Sequence, residues 1–582
     1  MNAYKCVCSN PIATVLILTL ALLLGSGCPW AQKQLTTRER TVHPVAIPAG
    51  TPGIPPSYVP EYEFYGYSAW DFGPGEDEGR KFDLMQANYT GARNRAQLLS
   101  FFAMSDIHIT DKESPAEVLY YGWSQPSGAS GLLSQAYSPV VLSTTHVLEA
   151  TVETINALDR RAHFDFGIAL GDMANSSQTN ELRWFIDIMD GKYITPSSGA
   201  NLGANVIEYQ KPYQAVGLNP TIPWYAVAGN HDQFFMGVAY PTDKVRDAEV
   251  GNKVLNMGPN PFAPNATEDT GVYVGVVDGT TLYGDVIKGG PEGNFATPPT
   301  VVADKNRLSM TTADSSTRNL MDEFFTTTSL PVGHGFTQKN LVEDSACYSF
   351  EPVANMPIKV IVLDDTCKTT SESGDPSYYG SGWIDEARYN WLTKELQAGQ
   401  DAGQLMIVAT HIPVNPQAGL TDTASAPQFY KDSYQNDSQL VATLQKYPNL
   451  ILLIAGHRHL NTVTPQPSPD PEHPEYGFWE VENPSLRDFP QQFRTFDIRR
   501  NSDNTISILT TDVDPIIEPG SPAADSRGYA VGAARLFSQL TSTDTASHVY
   551  NAELVKQLTL EMQTKIANYG TPIGIGQTPR TR

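Results

Sequence analysis

At 582 residues, with 40% hydrophobic, 10% aromatic and only 18% charged side chains, the chain is globular, too long for one compact core, and expected to hold two to four domains. The balance of 39 basic against 63 acidic residues gives a net charge of −24, which argues against binding nucleic acid or anionic lipid through a basic surface. That sign leaves a metal enzyme open, because bound divalent cations reverse the local field.

Residues 1–28 read as an export signal. Lys5 supplies a weak positive start, and the uncharged run Ile12 to Leu24 is shorter than the roughly 18 to 20 residues that span a bilayer. Leu24-Gly25-Ser26-Gly27-Cys28 partly resembles a bacterial lipobox, with Gly25 where Leu is usual. Acylation of Cys28 and ordinary cleavage both fit. The expectation is an exported protein, periplasmic or at the cell surface, with a lipid anchor if Cys28 is acylated. Residues 29–97 are rich in Pro, Gly and aromatics, among them Tyr62, Phe64, Tyr65, Tyr67 and Trp70, and predict an extended arm packed on the body.

Five short apolar runs follow, each ending abruptly in polar residues: Leu98 to Met104, Phe164 to Leu170, Ile222 to Val227, Leu405 to Thr410 and Leu450 to Ala455. Such runs suit buried strands. Leu148, Val152, Ile155 and Leu158 keep helical spacing, as do Ala387, Trp391 and Leu396. Alternating strands and helices predict a layered α/β fold, with the site where loops leave the strand ends. Cys347 and Cys367 flank a predicted hairpin that sets Cys347 opposite Val362 or Leu363. Cys367 then lies roughly 13 to 16 Å away at strand rise, beyond the reach of a disulfide.

The loop residues carry the chemistry. The runs end in Asp106-Ile107-His108, Gly171-Asp172, Gly229-Asn230-His231-Asp232, His411 with Pro413, and Gly456-His457-Arg458-His459. A pair of hard divalent cations needs converging oxygen and imidazole donors, with one carboxylate shared between metals about 3.5 to 4 Å apart. Cysteine is absent from the set, which argues against structural zinc and iron–sulfur clusters. Any one block alone reads as an Asx-turn or a polar strand end. All of them in order, each after its own apolar run, do not.

The order DxH, GDxx, GNHD, HxP and GHxH resembles the calcineurin-like metallophosphoesterases over about residues 98–500. The resemblance implies a layered β-sandwich flanked by helices. It implies one metal held by Asp106, His108, Asp172 and His459, and another by Asp172, Asn230, His411 and His457, with Asp172 bridging. Catalysis would then rest on Asp172 and on His231, which would lie beside the substrate phosphoryl group without binding metal. Mn, Fe and Zn all accept these ligands. Asn175 stands where the purple acid phosphatases have a ligand tyrosine, which disfavours that subgroup. His334, between Gly333 and Gly335, suits a loop approaching a ligand, and Arg487 suits a phosphate; an ordinary turn and an ion-paired arginine are the commoner fates.

The segment between Asp232 and His411 is long for such a fold, and residues 235–345 predict an inserted cap or lid, with a hairpin at Val272 to Ile287. Residues 112–140 form a shorter insert. Phe493 to Ile498 and Thr505 to Thr510 predict a closing hairpin that ends the 98–515 domain. Residues 516–582 predict a C-terminal extension, helical over 522–568. The implied activity is hydrolysis of a phosphate mono- or diester on a small phosphorylated substrate, by a hydroxide held between the metals. A non-catalytic binding module on the same fold and a metal-dependent hydrolase of a non-phosphate ester are the alternatives. Lost ligands would mark the binding module, and none is lost.

Overall fold

The structure, a computed structural model, describes residues 36–54, 59–117, 139–252, 255–257, 272–274, 302–311, 318–367, 380–416, 429–431, 433–536 and 551–573. The export segment, Cys28 and most of the hairpin expected at 272–287 lie outside the described residues. No described helix is long and apolar enough to cross a membrane.

Two mixed β-sheets face each other. In chain order, β1 (Gly79–Leu84), β2 (Asn94–Met104), β3 (Phe166–Ala169) and β4 (Trp224–Ala226) enter the first sheet. The second is built from β5 (Tyr348–Phe350), β6 (Ile358–Val362), β7 (Leu405–Ala409), β8 (Leu450–Ala455), β9 (Thr462–Gln466) and β10 (Phe478–Glu482). The chain then returns to the first sheet with β11 (Phe493–Asn501), β12 (Ile506–Val513) and β13 (Ala552–Lys556). Strand order is β1-β13-β12-β11-β2-β3-β4 in the first sheet and β5-β6-β7-β8-β10-β9 in the second. Within them β2, β3 and β4 run parallel, and so do β6, β7, β8 and β10. Parallel neighbours need crossovers, and helices Thr144–Asp159 and Glu386–Asp401 lie in two of them.

The apolar runs become strands because both of their faces are covered. On β6 to β8, Val360, Val362, Ile407, Ala409, Leu452 and Ile454 point into the core between the sheets. The alternate residues Ile361, Met406, Val408 and Leu453 meet Leu392, Leu396, Leu440 and Leu444 of the outer helices. At the centre of the first sheet, Phe101 of β2 stacks between its registered partners Phe166 and Phe496, with ring centroids 4.7 Å away on each side. Phe350 of β5 meets the edge of Phe166 from the opposite sheet at 5.5 Å. Trp479 of β10 donates its indole N–H across the sandwich to the carbonyl of Val555 at 3.1 Å.

The N-terminal arm packs on the body. Arg40–Pro44 and Trp70–Pro74 pair as an antiparallel ribbon, while Val59, Tyr62 and Tyr67 are buried against Val141 and Leu142. The described parts of residues 235–345 include short helices, Asp243–Val250, Arg318–Glu323 and Gln338–Glu343, and Val272–Val274, where a hairpin with residues further on was expected, pairs instead with Leu255–Met257. Arg307 pins this segment to the first motif's loop, pairing with Asp111 and Ser198. Cys347 and Cys367 are buried and not joined in a disulfide, and Tyr348 is registered on Val362 as the hairpin spacing predicts.

The C-terminal expectation is corrected in one place. Residues 522–568 are not helical throughout: helix Pro522–Leu536 is followed by strand β13 and then helix Leu560–Ile566. Ala552 and Leu554 face the core, and Glu553 pairs with Arg80 at 2.6 Å, so tertiary contacts select a strand in a helix-tolerant sequence.

Phe101→Ala should cost about 3 to 5 kcal/mol, since it opens a void between two stacked rings that β-sheet geometry keeps apart. Urea unfolding checks this; a loss under about 1 kcal/mol would show that the ring stack does not hold the sheet centre.

Candidate metal centre

Because the inner strands of both sheets are parallel, their carboxyl ends deliver loops to one place. Asp106 and His108 follow β2, Asp172 follows β3, and Asn230 to Asp232 follow β4. From the other sheet, His411 follows β7, His457 and His459 follow β8, and Ser485 to Asp488 follow β10. The loops are stitched by their backbones. His108 N–H donates to the Asp172 carbonyl (2.9 Å), Gly456 N–H to the His411 carbonyl (2.9 Å), and His457 N–H to the Asp106 carboxylate (3.0 Å). Such tight convergence bends the chain into left-handed backbone at Asp106, His108, Asp172, His457 and His459, with φ of 52°, 49°, 54°, 78° and 60°. The cost is of order 1 to 3 kcal/mol each, typical of functional sites. Gly456 is required by proximity: a Cβ there would lie 1.8 Å from Ser105 Oγ and 2.6 Å from an Asp106 oxygen.

The outer atoms of the side chains are already engaged. His411 Nδ1 donates to the Leu170 carbonyl (2.7 Å), His459 Nδ1 to the Asp488 carboxylate (2.5 Å), and His108 Nδ1 to Asn175 Oδ1 (3.2 Å). Asn230 donates its amide to the Gly237 carbonyl (3.0 Å), which turns its oxygen inward. When these rings are neutral, their inner nitrogens present lone pairs. Nε2 of His108 and Nε2 of His459 face each other at 3.2 Å. Nε2 of His411 faces Asn230 Oδ1 at 2.8 Å and Asp172 Oδ2 at 3.2 Å, and His457 Nδ1 lies 3.2 Å from the same Asn230 oxygen. Acceptors facing acceptors in a buried space repel one another unless a proton or a cation lies between them. The donor set, two carboxylates, an amide oxygen and imidazoles, fits hard or borderline divalent ions.

The buried carboxylates draw positive charge into this space. Burial works against ionising Asp172, yet His411 and His231 beside it hold its carboxyl well below the usual range. Burial likewise opposes a charge on His411 and His459. Asp172 nonetheless lifts the first to about 10, and Asp106 with Asp488 lifts the second to about 10. Inward atoms of Asp106, His108 and His459 lie within 4.8 Å of one another, as do those of Asp106, Asp172 and His411. A third such group is His108, Asp172 and His231. His231, His457 and His459 keep partial exposure while Asp106, Asp172, Asn230 and His411 are buried, so the cluster opens on one side.

The structure thus brings together Asp106, His108, Asp172, Asn230, His231, His411, His457 and His459. Arg487 is buried beside them, its N–H on the Asp106 carbonyl (3.3 Å) and its charge acting on His108 and His231. The reading of His334 as a substrate residue is corrected. It stacks on Trp224 with ring centroids 3.4 Å apart, its nitrogens facing the Trp224 carbonyl and Thr327 Oγ1, and it braces β4 from the side.

Sequence reasoning missed the residues behind the cluster. Asp232 accepts the backbone N–H groups of Asp172 (2.9 Å), Gly229 (2.9 Å) and Ala174 (2.8 Å), clasping two of the loops. Asp365 accepts those of His411 and Ile412 and the Tyr430 hydroxyl. Asp232 stands inside a quoted motif, so its position was a signal; Asp365, Asp488 and Asn175 act across loops distant in sequence.

No protein-family model matches the chain, and no curated protein matches it. Among solved structures it is similar to a dimetal phosphatase from Danio rerio, with 11% identity, a TM-score of 0.36, and coverage of 72% of this chain and 97% of that one.

Asp232→Ala should strand three buried N–H groups and cost about 3 kcal/mol or more, at about 1 to 3 kcal/mol per orphaned group. Asp232→Asn, which keeps an acceptor oxygen, should cost less. Equal stability of both variants and the parent in urea would show that the clasp is dispensable.

Proposed function

We propose that this chain is an exported dinuclear-metal phosphoesterase that hydrolyses a phosphate mono- or diester of a small substrate. The observation that carries the reading is the convergence of two buried carboxylates, the Asn230 oxygen and the His108, His411, His457 and His459 nitrogens, with the outer atoms of Asn230, His108, His411 and His459 already hydrogen-bonded. In this reading one cation is held by Asp106, His108, Asp172 and His459, and the other by Asp172, Asn230, His411 and His457. Mn, Fe and Zn all suit the set. When bound, two such cations would supply an activated water and neutralise charge on phosphoryl oxygens.

The chain's own residues do the rest. Asp172 sets one oxygen toward His411 and His108, at 3.2 and 3.7 Å, and takes the His231 N–H on the other, so a shared position between two cations suits it. His231 commits Nδ1 to the Asn175 carbonyl at 2.6 Å, leaving Nε2 to hydrogen-bond a phosphoryl oxygen or to protonate the leaving group. Arg487 adds a guanidinium charge next to both histidines, suited to an anionic substrate. The export reading rests on residues 1–28.

Asp172→Asn should lose at least one metal and nearly all turnover, because it removes charge that offsets cation repulsion. His231→Ala should keep both metals and lose about 10²- to 10⁴-fold in turnover, the usual worth of a positioned acid–base group. That loss should shrink on esters whose leaving group is already a stable anion. Metal analysis with rates on chromogenic mono- and diesters checks the assignment. Two bound metals with no turnover on any ester would favour a binding module, and metal loss from His231→Ala would make His231 a ligand.

A further inference from the structure

We infer that Glu117 and Asn175 form a positioning relay for His108: the Glu117 carboxylate fixes the Asn175 amide, and the amide fixes the histidine. The inference rests on the metal reading above and goes beyond its ligands.

His108 leans on a side-chain amide, whereas His459 leans on a carboxylate and His411 on a backbone carbonyl. An amide has two ends. With Oδ1 toward His108 Nδ1, the imidazole carries its hydrogen there and turns a lone pair inward. With the amide flipped, its N–H₂ would face Nδ1, the ring would have to protonate Nε2, and a ligand would be lost. Which end faces His108 is decided further out. Asn175 Nδ2 donates to Glu117 Oε2 at 2.6 Å, and Glu117 Oε1 accepts from Gln178 Nε2 at 2.7 Å. Gln178 Oε1 accepts the Ser114 hydroxyl at 2.8 Å, and its N–H₂ also reaches Glu181 at 3.2 Å. An ionised carboxylate only accepts, so Glu117 draws the N–H₂ of both amides toward itself and leaves the Asn175 oxygen to face His108.

Both relay residues are buried, Glu117 at 2% and Asn175 at 4% exposure. Burying a carboxyl that does not itself reach the cluster is costly unless its bonds matter. Glu181 lies alongside and accepts the backbone N–H groups of Asp111, Asn175 and Ser176, fixing the loop that carries the relay. Asn175 also holds His231 through its own carbonyl. Side chain and backbone of one residue thus orient a proposed ligand and the proposed acid–base group, and substitution separates the two.

The test is Mn²⁺ binding to the metal-free full chain by calorimetry, with thermal melting as a folding check. Asn175→Ala should weaken the tighter Mn²⁺ site about 10- to 100-fold, the usual effect of removing a residue that orients a ligand. Glu117→Gln sets an N–H₂ group against either Asn175 or Gln178 and should weaken it by a similar factor. Because the residues act in series, Asn175→Ala combined with Glu117→Gln should be no worse than the weaker-binding single variant. Exchanging the pair, Glu117→Gln with Asn175→Asp, restores every donor–acceptor match and should return affinity to within a few-fold of the parent. Multiplying losses in the double variant, or no recovery in the exchanged pair, would overturn the relay. If the single variants fail to fold, the exchanged pair decides alone: its failure to fold or to bind Mn²⁺ overturns the relay. A parent chain that binds no Mn²⁺, Fe²⁺ or Zn²⁺ would instead sink the metal reading itself.

Discussion

Two carboxylates, Asp106 and Asp172, are sealed inside the protein at 0% and 1% exposure, and most of the surrounding structure answers that fact. An ionised acid out of water is costly unless positive charge and hydrogen-bond donors meet it. The backbone supplies part of the answer, through His457 N–H on Asp106 and His231 N–H on Asp172. Imidazoles from the opposite sheet supply more. To bring donors from both sheets this close, the chain accepts left-handed backbone at five of the converging residues.

The strain is tolerable because the strands behind it are rigid. β7 and β8 are buried along their whole length, so the loops that follow start from fixed points. Carboxylates then clasp the loops from behind: Asp232 ties those of β3 and β4, and Asp365 holds the loop of β7. The open side is left to His231, His457 and His459, where a ligand has room to approach.

The five strands ahead of the motifs were legible because each is apolar on both faces and stops sharply. β8 is matched end to end, and β2 begins four residues before the apolar run. The inner ring of the site was legible for a related reason: its residue types follow separate strands in a recognisable order. The outer ring was not. Asp488 and Glu117 act on residues 29 and 58 positions away, on loops that follow different strands, and Asn175 stood out for its place after Asp172 but not for what it touches. His334 misled because flanking glycines at φ 85° and 106° signal a tight loop but not what the loop approaches; here it approaches Tyr348 and Trp224. β13 was lost because Ala-Glu-Leu-Val-Lys favours a helix until β12 and β1 offer it edges to pair with.

The strand order has a consequence for how the molecule is made. β2 carries Asp106 and His108 at its end, yet its long antiparallel neighbour is β11, and among the described residues β1 pairs with β13, far along the sequence. A nascent chain emerging from the amino terminus holds Leu98 to Met104 without that neighbour until Phe493 to Asn501 have been synthesised. The parallel neighbours β3 and β4 come early, but closing so long a loop to reach β11 is slow, and an apolar edge left waiting is prone to aggregation. The antiparallel half of the first sheet can therefore close only after Phe493 to Asn501 are made, in the last sixth of the sequence.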